Sequence, residues 1–249
     1  MLVQNPKGSY SFLRGIAPYS AGVVADEGYE IVHARFQRLA PFADGCERVR
    51  KHLEQVSRPA QALCGMELRS PKPFTFQGFD EFNQGYIEAL TKWGLIVDTV
   101  NPVARTNVAP EIGAPAAPSL YGFSYTVPSR TKKTTFVVAG AGELPEGSLE
   151  PKDLVRAGET SADALGEKIR FVMGLMSGRL RGLGTDWEQV ATANVYTVHP
   201  ICAMLPEQIV RPMSASAIHG VTWYYSRPPI VSIEYEMDVR GCEQELMLT

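Results

Sequence analysis

The residues of this sequence best suited to chemistry are a few polar side chains in apolar or turn-rich surroundings. They are Tyr19 in APYSAG, Asn83 in FDEFNQGY, Arg105 in NPVARTNVAP, and Glu234 and Glu236 in IVSIEYEMDV. Arg105 is the only charged residue of its segment. A guanidinium fixed in such surroundings can bind a carboxylate through two parallel hydrogen bonds. The segment therefore indicates a possible carboxylate-binding site.

Each of these residues also has a purely structural explanation. The two glutamates alternate with Ile233, Tyr235 and Met237, so they can simply face solvent from one side of a strand. Arg105 can equally be a structural arginine with a partner in the fold, or a surface residue. The residues by themselves leave both explanations open.

Other kinds of catalytic site find little support in the sequence. The histidines form no H-x-x-x-H or H-x-E pair and the cysteines no C-x-x-C pair, so we predict no metal site and reduced thiols. GAGEL follows a predicted strand but lacks the third glycine of a dinucleotide-binding turn, and the G-x-S-x-G turn of serine hydrolases is absent. We therefore expect no metal and no cofactor.

The composition is that of an ordinary globular protein. Of 249 residues, 45% are hydrophobic and 20% charged, which is enough for one or two cores and favours two domains. A net charge of −3 argues against nucleic acid as a partner. The first residues show no signal-peptide pattern, and no run of eighteen apolar residues occurs. We expect a cytoplasmic protein with no membrane contact.

The hydrophobic patterns predict the order βαβαβ twice. In the first half an extended pair over 23–36 is followed by a helix over 45–56, a strand over 60–68, a helix over 79–94 and a strand over 120–127. In the second half a strand over 134–142 is followed by a helix over 161–184, a strand over 190–198, a shorter helix over 206–217 and a strand over 230–239. The segment VPSRTKK, residues 127–133, is the predicted boundary.

These segments, in this order, resemble the RidA/YjgF imine-deaminase family. APYSAG is similar to the family's G-P-Y-S opening, FDEFNQGYIEAL to its helix with a central asparagine, VARTNV to P-A-R-[ST]-x-V, and IVSIEYEM to its closing V-E-I-E-A strand. The resemblance is clearest over residues 15–126. It implies an α+β fold of two tandem chorismate-mutase-like modules, 1–128 and 129–249, each a mixed sheet with two helices packed on one face. It also implies a homotrimer, or a multiple of it, with active sites between subunits.

The resemblance implies roles for individual residues. Arg105 corresponds to the arginine that binds the substrate carboxylate, and Tyr19 to a tyrosine that lines the pocket. Asn83 corresponds to the helix asparagine near this pocket, and Glu234 to the glutamate that positions the hydrolytic water. These four residues are the predicted site.

Each half departs from the family pattern at one position. In the first half Ser124 or Tyr125 lies where the closing strand should carry the glutamate, and in the second half HGVTWYYSRPP has no arginine at the expected place. Arg227 and His219 lie near that place and are candidates to replace it in substrate binding. Either the halves complement each other across an interface, or one half has lost activity and is a scaffold.

The implied function is a metal-independent hydrolytic deaminase that releases ammonia from an enamine or imine carboxylate. Among the family's substrates, the best match is a 2-aminomuconate-type intermediate of aromatic amine or nitroaromatic catabolism, whose two carboxylates could bind Arg105 and Arg227. The alternative is a non-catalytic carboxylate-binding or regulatory protein, which the missing glutamate of the first half supports. An endoribonuclease fits the acidic charge balance poorly.

Overall fold

A computed structural model describes residues 2–249 of the chain. Its strands are β1 (Leu2–Asn5), β2 (Tyr10–Leu13), β3 (Gly22–Ala25), β4 (Tyr29–Pro41), β5 (Leu63–Arg69), β6 (Ala104–Pro110), β7 (Ser119–Pro128), β8 (Phe136–Gly142), β9 (Thr192–Tyr196), β10 (Thr222–Tyr224), β11 (Ser226–Arg227), β12 (Glu236–Gly241) and β13 (Gln244–Leu248). Its α-helices are α1 (Phe42–Gln55), α2 (Phe76–Lys92) and α3 (Ala162–Gly182).

Local capping explains where the longer helices begin and end. The Thr75 side chain accepts a hydrogen bond from the backbone N–H of Gly78 at the start of α2, and Ser161 does the same for Ala164 at the start of α3. Gly94, just beyond α2, has a φ of 67°, a conformation that favours glycine. The α-helices predicted over 45–56, 79–94 and 161–184 are thus confirmed. Within residues 2–249, no helix has the length and apolar character needed to cross a bilayer.

The shorter helix predicted over 206–217 is present as two helical pieces and not as one continuous helix. A π-helical segment spans Leu205–Val210 and a 3-10 segment Arg211–His219, with a kink at Ser214, where φ is 54°. Pro206 and Pro212 lack the N–H groups that a continuous α-helix needs. The backbone therefore folds into two short helical pieces.

The closing strand predicted over 230–239 is wrong in its first part, because β12 begins only at Glu236. Ser232 has a φ of 79°, which ends the extended path, and Ile230 forms an isolated bridge with Phe74 instead. After β12 the chain adds β13, which the sequence pattern did not predict and which runs parallel to β4.

The strands form two mixed sheets. Sheet I has the order β11-β6-β5-β7-β4-β13, and sheet II the order β1-β2-β3-β8-β12-β9-β10. The pairs β5–β6 and β4–β13 in sheet I and β9–β10 in sheet II are parallel. The predicted α+β class is therefore confirmed.

The two halves of the sequence exchange strands. The extended pair predicted over 23–36 forms β3 and β4, but these strands enter different sheets. The strands β1 to β3 pair into sheet II through β8, and the late strands β11 and β13 complete sheet I. The division into modules 1–128 and 129–249 stays a prediction, and both sheets cross that boundary.

The helices cover one face of each sheet. Side chains of α1 and α2 pack with sheet I in one apolar cluster, and α3 packs with sheet II in another. The apolar stripe of α3 is buried in the second cluster and consists of Leu165, Ile169, Val172 and Met176. Each such side chain contributes roughly 1.5–3 kcal/mol relative to an exposed one.

Polar contacts connect sheet I to sheet II. The Thr106 hydroxyl on β6 donates to the Asp238 carboxylate on β12 at 2.8 Å and accepts from the backbone N–H of Gly140 on β8 at 3.1 Å. Asn194 and Tyr196 of β9 also donate to Asp238, at 2.9 and 2.8 Å. These buried bonds fix the positions of β6, β8 and β12 relative to one another.

The strand exchange predicts that the halves do not fold alone. Without β1 to β3, a chain of residues 129–249 leaves one edge of β8 unpaired, and a chain of residues 1–128 leaves the outer edges of β4 and β6 unpaired. We expect each half to lack a cooperative thermal transition in circular dichroism, and the two halves to form a stable complex when co-expressed. Isolated halves that are monomeric and melt cooperatively would contradict this expectation.

Candidate active site

A cavity of about 60 Å³ lies where the two sheets meet. Its lining includes Arg105 of β6, Gly140 of β8, Glu236 of β12, Arg179 of α3 and the ring of Tyr19. The segment 144–149, here called the cavity loop, covers part of it. The cavity therefore combines side chains from both halves of the sequence.

Arg105 has a buried guanidinium with unused donors. The centre of the group lies 4.6 to 5.7 Å from the ring centroids of Tyr19, Phe79, Phe82 and Tyr86. Neither Nη1 nor Nη2 has a hydrogen-bond partner among residues 2–249. Burial lowers the pKa of Arg105, but an arginine stays charged in proteins. The cavity thus offers a cation with two donors for an anionic ligand.

Glu236 is the buried acidic group of the cavity, whereas Glu146 of the cavity loop is half-exposed. Burial raises the pKa of Glu236 well above its usual value; Asp238 raises it further, while Arg105 and Arg179 lower it. The protonated acid is therefore favoured at pH values where an ordinary glutamate is ionised.

Gly140 makes room for this carboxyl group. A Cβ atom at this position would overlap Oε1 of Glu236 and come close to the Thr106 methyl group. The absence of a side chain at Gly140 therefore lets β8 pass directly beneath the acid. In the GAGEL segment, Gly140 accommodates a neighbouring carboxyl group.

A buried ion pair holds the chain just before Glu236. The Glu143 carboxylate lies 2.9 Å from the Lys168 ammonium, and both side chains are fully buried. Glu143 also accepts hydrogen bonds from the backbone N–H groups of Glu234 and Tyr235, at 2.7 and 3.1 Å. This arrangement fixes the point at which β12 begins.

The structure brings some of the predicted site residues together. Tyr19 and Arg105 both line the cavity. Glu234 does not, because its carboxylate binds Nε2 of His199 at 2.7 Å outside the cavity lining. Glu236, two residues further, lines the cavity.

The other predicted residues lie away from the cavity lining. Asn83 lies on α2 between Phe79 and Tyr86, and all three side chains are buried. The Asn83 amide has no hydrogen-bond partner within residues 2–249. Arg227 is half-exposed on β11 and binds the Glu111 carboxylate at 2.6 and 3.1 Å. His219 is exposed at the end of the 3-10 segment.

Arg179 is the cavity residue that sequence reasoning missed. It lies in the last turn of α3, where basic residues are common because they interact favourably with the helix dipole. A sequence pattern gives no reason to choose it over Arg181 beside it. Within the described residues, no three His, Cys, Asp or Glu side chains cluster in a way that could hold a metal ion.

The fold and cavity define a mixed α+β protein in which a buried arginine and a buried glutamate of raised pKa line one cavity, an arrangement suited to acid–base chemistry on a small carboxylate. A chorismatase of known structure has a related fold. It matches 89% of this chain and 77% of its own, with a TM-score of 0.50 and 12% identity. This similarity concerns the fold alone.

Sequence comparison identifies the family. Residues 2–246 match the sequence model of the family described as 2-aminomuconate deaminase CnbZ. The 2-amino-5-chloromuconate deaminase of Comamonas testosteroni is 42% identical over 244 residues, which cover 97% of this chain and 96% of the relative. The chain belongs to the 2-aminomuconate deaminase CnbZ family, and the predicted deaminase function is confirmed.

The close contact at Gly140 predicts a strong effect of a single methyl group. Gly140→Ala should lower the free energy of unfolding by about 1–3 kcal/mol, because the new methyl group overlaps Glu236. Deamination should fall as the acid is displaced. The matched control is Gly174→Ala. A Cβ at this exposed position of α3 meets open space, and the change should raise the free energy of unfolding by up to about 1 kcal/mol. Chemical denaturation and an ammonia assay check both variants, and equal tolerance of the two changes would refute the crowding argument.

Proposed function

We propose that the protein hydrolyses the enamine or imine form of a 2-aminomuconate-type carboxylate and releases ammonia. The observation that carries the proposal is the buried Arg105 guanidinium, whose Nη1 and Nη2 have no hydrogen-bond partner among residues 2–249 and whose side chain lines the same cavity as the Glu236 acid. The names of the family and of its Comamonas relative supply the substrate type.

Arg105 binds the carboxylate next to the carbon that carries the amino group. Nη1 and Nη2 form the two parallel hydrogen bonds of a fork, and the surrounding aromatic rings fix the guanidinium plane. Such positioning holds the reacting carbon at one place, which lowers the entropic part of the barrier. The positive charge of Arg105 also stabilises the Glu236 carboxylate that forms in the next step.

Glu236 begins the reaction as an acid. Its carboxyl group donates a proton to the enamine carbon, the C=C pair forms the new C–H bond, and the nitrogen lone pair completes a C=N iminium. Water then adds to the iminium carbon and returns a proton to Glu236. Proton transfer by one positioned group typically contributes about 10²- to 10⁴-fold.

Loss of ammonia completes the reaction. Glu236 donates its proton to the nitrogen of the carbinolamine and accepts the proton of the hydroxyl group, while the C–N bond breaks and a C=O bond forms. The net change is enamine plus water to ketone plus ammonia, and Glu236 ends protonated as it began. This scheme requires no metal and no cofactor.

The two halves contribute one site in this proposal. The first half supplies Arg105 but has no glutamate on its closing strand, and the second half supplies Glu236 but no arginine at the matching place. Of the alternatives left by the sequence, complementation between halves is therefore favoured. The presence of Glu236 beside Arg105 also argues against a non-catalytic binding protein.

The remaining parts of the proposal rest on the resemblance of the sequence to RidA/YjgF proteins. They are that the halves are tandem RidA-type modules, that the enzyme is cytoplasmic, and that three chains, or a multiple, assemble. Three chains would provide six modules as two rings of three with equivalent surroundings. Light scattering after size exclusion measures the mass that separates a trimer from a monomer of 27.3 kDa.

The two glutamates of the closing segment give a direct test of the mechanism. Glu236→Gln keeps the shape of the side chain but removes the proton, so kcat should fall about 10²-fold or more with little change in KM. The matched control is Glu234→Gln, which lies outside the cavity and should change kcat far less.

The pH profile provides a second readout of the same change. The wild-type kcat/KM should fall as the pH rises through the raised pKa of Glu236, because the acid is then ionised. The remaining kcat/KM of Glu236→Gln should not show this fall as the pH rises. A larger loss of kcat in Glu234→Gln than in Glu236→Gln would contradict the assignment.

A further inference from the structure

The cavity contains a second guanidinium that already holds a carboxylate. Nε and Nη2 of Arg179 donate to Oε1 and Oε2 of Glu146 at 2.6 and 2.9 Å, and Nη1 donates to the backbone carbonyl of Ala139 at 2.9 Å. The Arg179 side chain is only 9% exposed. The guanidinium plane is thus fixed, and Nε and Nη2 are both directed at one carboxylate.

The carboxylate bound by Arg179 is much more accessible than the arginine. The Glu146 side chain is 48% exposed and belongs to the cavity loop, next to Gly147, which has a φ of 79°. A ligand carboxylate that replaces Glu146 can make the same two hydrogen bonds to Arg179, and the released Glu146 carboxylate is then solvated by water. Glu146 therefore occupies a site that fits the carboxylate of a ligand.

Arg179 shares the cavity with Arg105 and with the Glu236 acid. Both Arg105 and Arg179 line the same cavity as Glu236, and both act on the charge of its carboxyl group. A muconate-type molecule carries a carboxylate at each end of its carbon chain, and the carbons that react lie between them. A cavity with two guanidinium forks and an acid matches this distribution of charge.

We propose that Arg179 binds the second carboxylate of a dicarboxylate substrate and that Glu146 occupies Arg179 only while the site is empty. The inference rests on the proposed function and names the residue that recognises the second carboxylate of its substrate. Arg227, the second anchor suggested by the sequence, binds Glu111 outside the cavity lining and has no such access. Substrate binding then requires the cavity loop to release Arg179.

Two stable probes separate the second carboxylate from the rest of the molecule. trans,trans-Muconate and sorbate share a six-carbon diene and one carboxylate, and sorbate has a methyl group in place of the other. The wild-type protein should bind muconate at least about tenfold more tightly than sorbate by calorimetry, because only muconate uses both forks. Equal affinity for the two probes would overturn the proposal.

Variants of the pair give opposite expected effects. Arg179→Lys keeps the charge but loses the fork, so muconate affinity should fall about tenfold or more while sorbate affinity stays within about twofold. Glu146→Gln removes the competing charge and should strengthen muconate binding. A purely structural ion pair would instead make both variants weaken binding together, and that result would overturn the proposal.

The chain offers a matched control on its surface. Arg211 holds Glu207 in the same geometry, with Nε and Nη2 at 2.6 and 2.8 Å from its carboxylate, and both side chains are exposed. Arg211→Lys and Glu207→Gln should leave the affinities for muconate and sorbate unchanged. Circular dichroism shows whether each variant folds. If Arg179→Lys does not fold, Glu146→Gln still tests the proposal, because the Glu146 side chain is half-exposed.

An ammonia assay separates this inference from the proposed function. If wild-type protein prefers muconate over sorbate but releases no ammonia from 2-aminomuconate, the proposed function fails and the dicarboxylate site stands. If it releases ammonia but does not prefer muconate, the deaminase proposal stands and the role of Arg179 fails. An equal loss of affinity for both probes in Arg179→Lys also excludes that role.

Discussion

The buried guanidinium of Arg105 is the constraint around which the site is arranged. A charge removed from water without hydrogen-bond partners costs several kcal/mol, and none of the residues in the range 2–249 bonds to Nη1 or Nη2. Four aromatic rings offset part of this cost, since a cation over a ring contributes about 0.5–2 kcal/mol. The part of this free-energy cost that the rings do not offset is the cost of keeping Nη1 and Nη2 of Arg105 available for a ligand. Departures of this kind from good local packing are typical of functional sites.

The second requirement is that Glu236 meets Arg105 although the two residues belong to different sheets. The sheets are joined beside the site by Thr106, the neighbour of Arg105, which donates to Asp238, two residues after Glu236. Burial raises the pKa of Asp238 to about 6, but three hydrogen bonds from surrounding side chains support its ionised form. The distance between β6, which carries Arg105, and β12, which carries Glu236, therefore depends on a few buried hydrogen bonds.

The sequence predicted the parts of the molecule that local patterns control. The hydrophobic pattern over 161–184 indicated a helix, and α3 spans Ala162–Gly182 with its apolar stripe buried. The contrast between Arg105 and its neighbours indicated a residue that the structure places in the cavity lining. The pairing of strands was beyond these patterns, because alternation predicts a strand but not its partner. For this reason the exchange of β3 and β13 between the halves was not foreseen.

The choice between Glu234 and Glu236 shows the same limit. The two residues share one side of an alternating pattern, so alternation cannot separate them. The start of β12 places Glu236 rather than Glu234 in the cavity lining. It is set by the turn at Ser232 and by the hydrogen bonds that the backbone N–H groups of Glu234 and Tyr235 donate to Glu143, which is distant in sequence. Arg179 was hidden for a different reason, since its place at a helix end has an ordinary explanation.

A crystal structure with bound trans,trans-muconate would show directly whether Arg105 binds a ligand carboxylate. We expect one carboxylate of the ligand to lie within hydrogen-bond distance, about 2.7–3.2 Å, of both Nη1 and Nη2 of Arg105, with the diene beside the Glu236 carboxyl group. A ligand bound elsewhere, with the Arg105 guanidinium still without a partner, would contradict it.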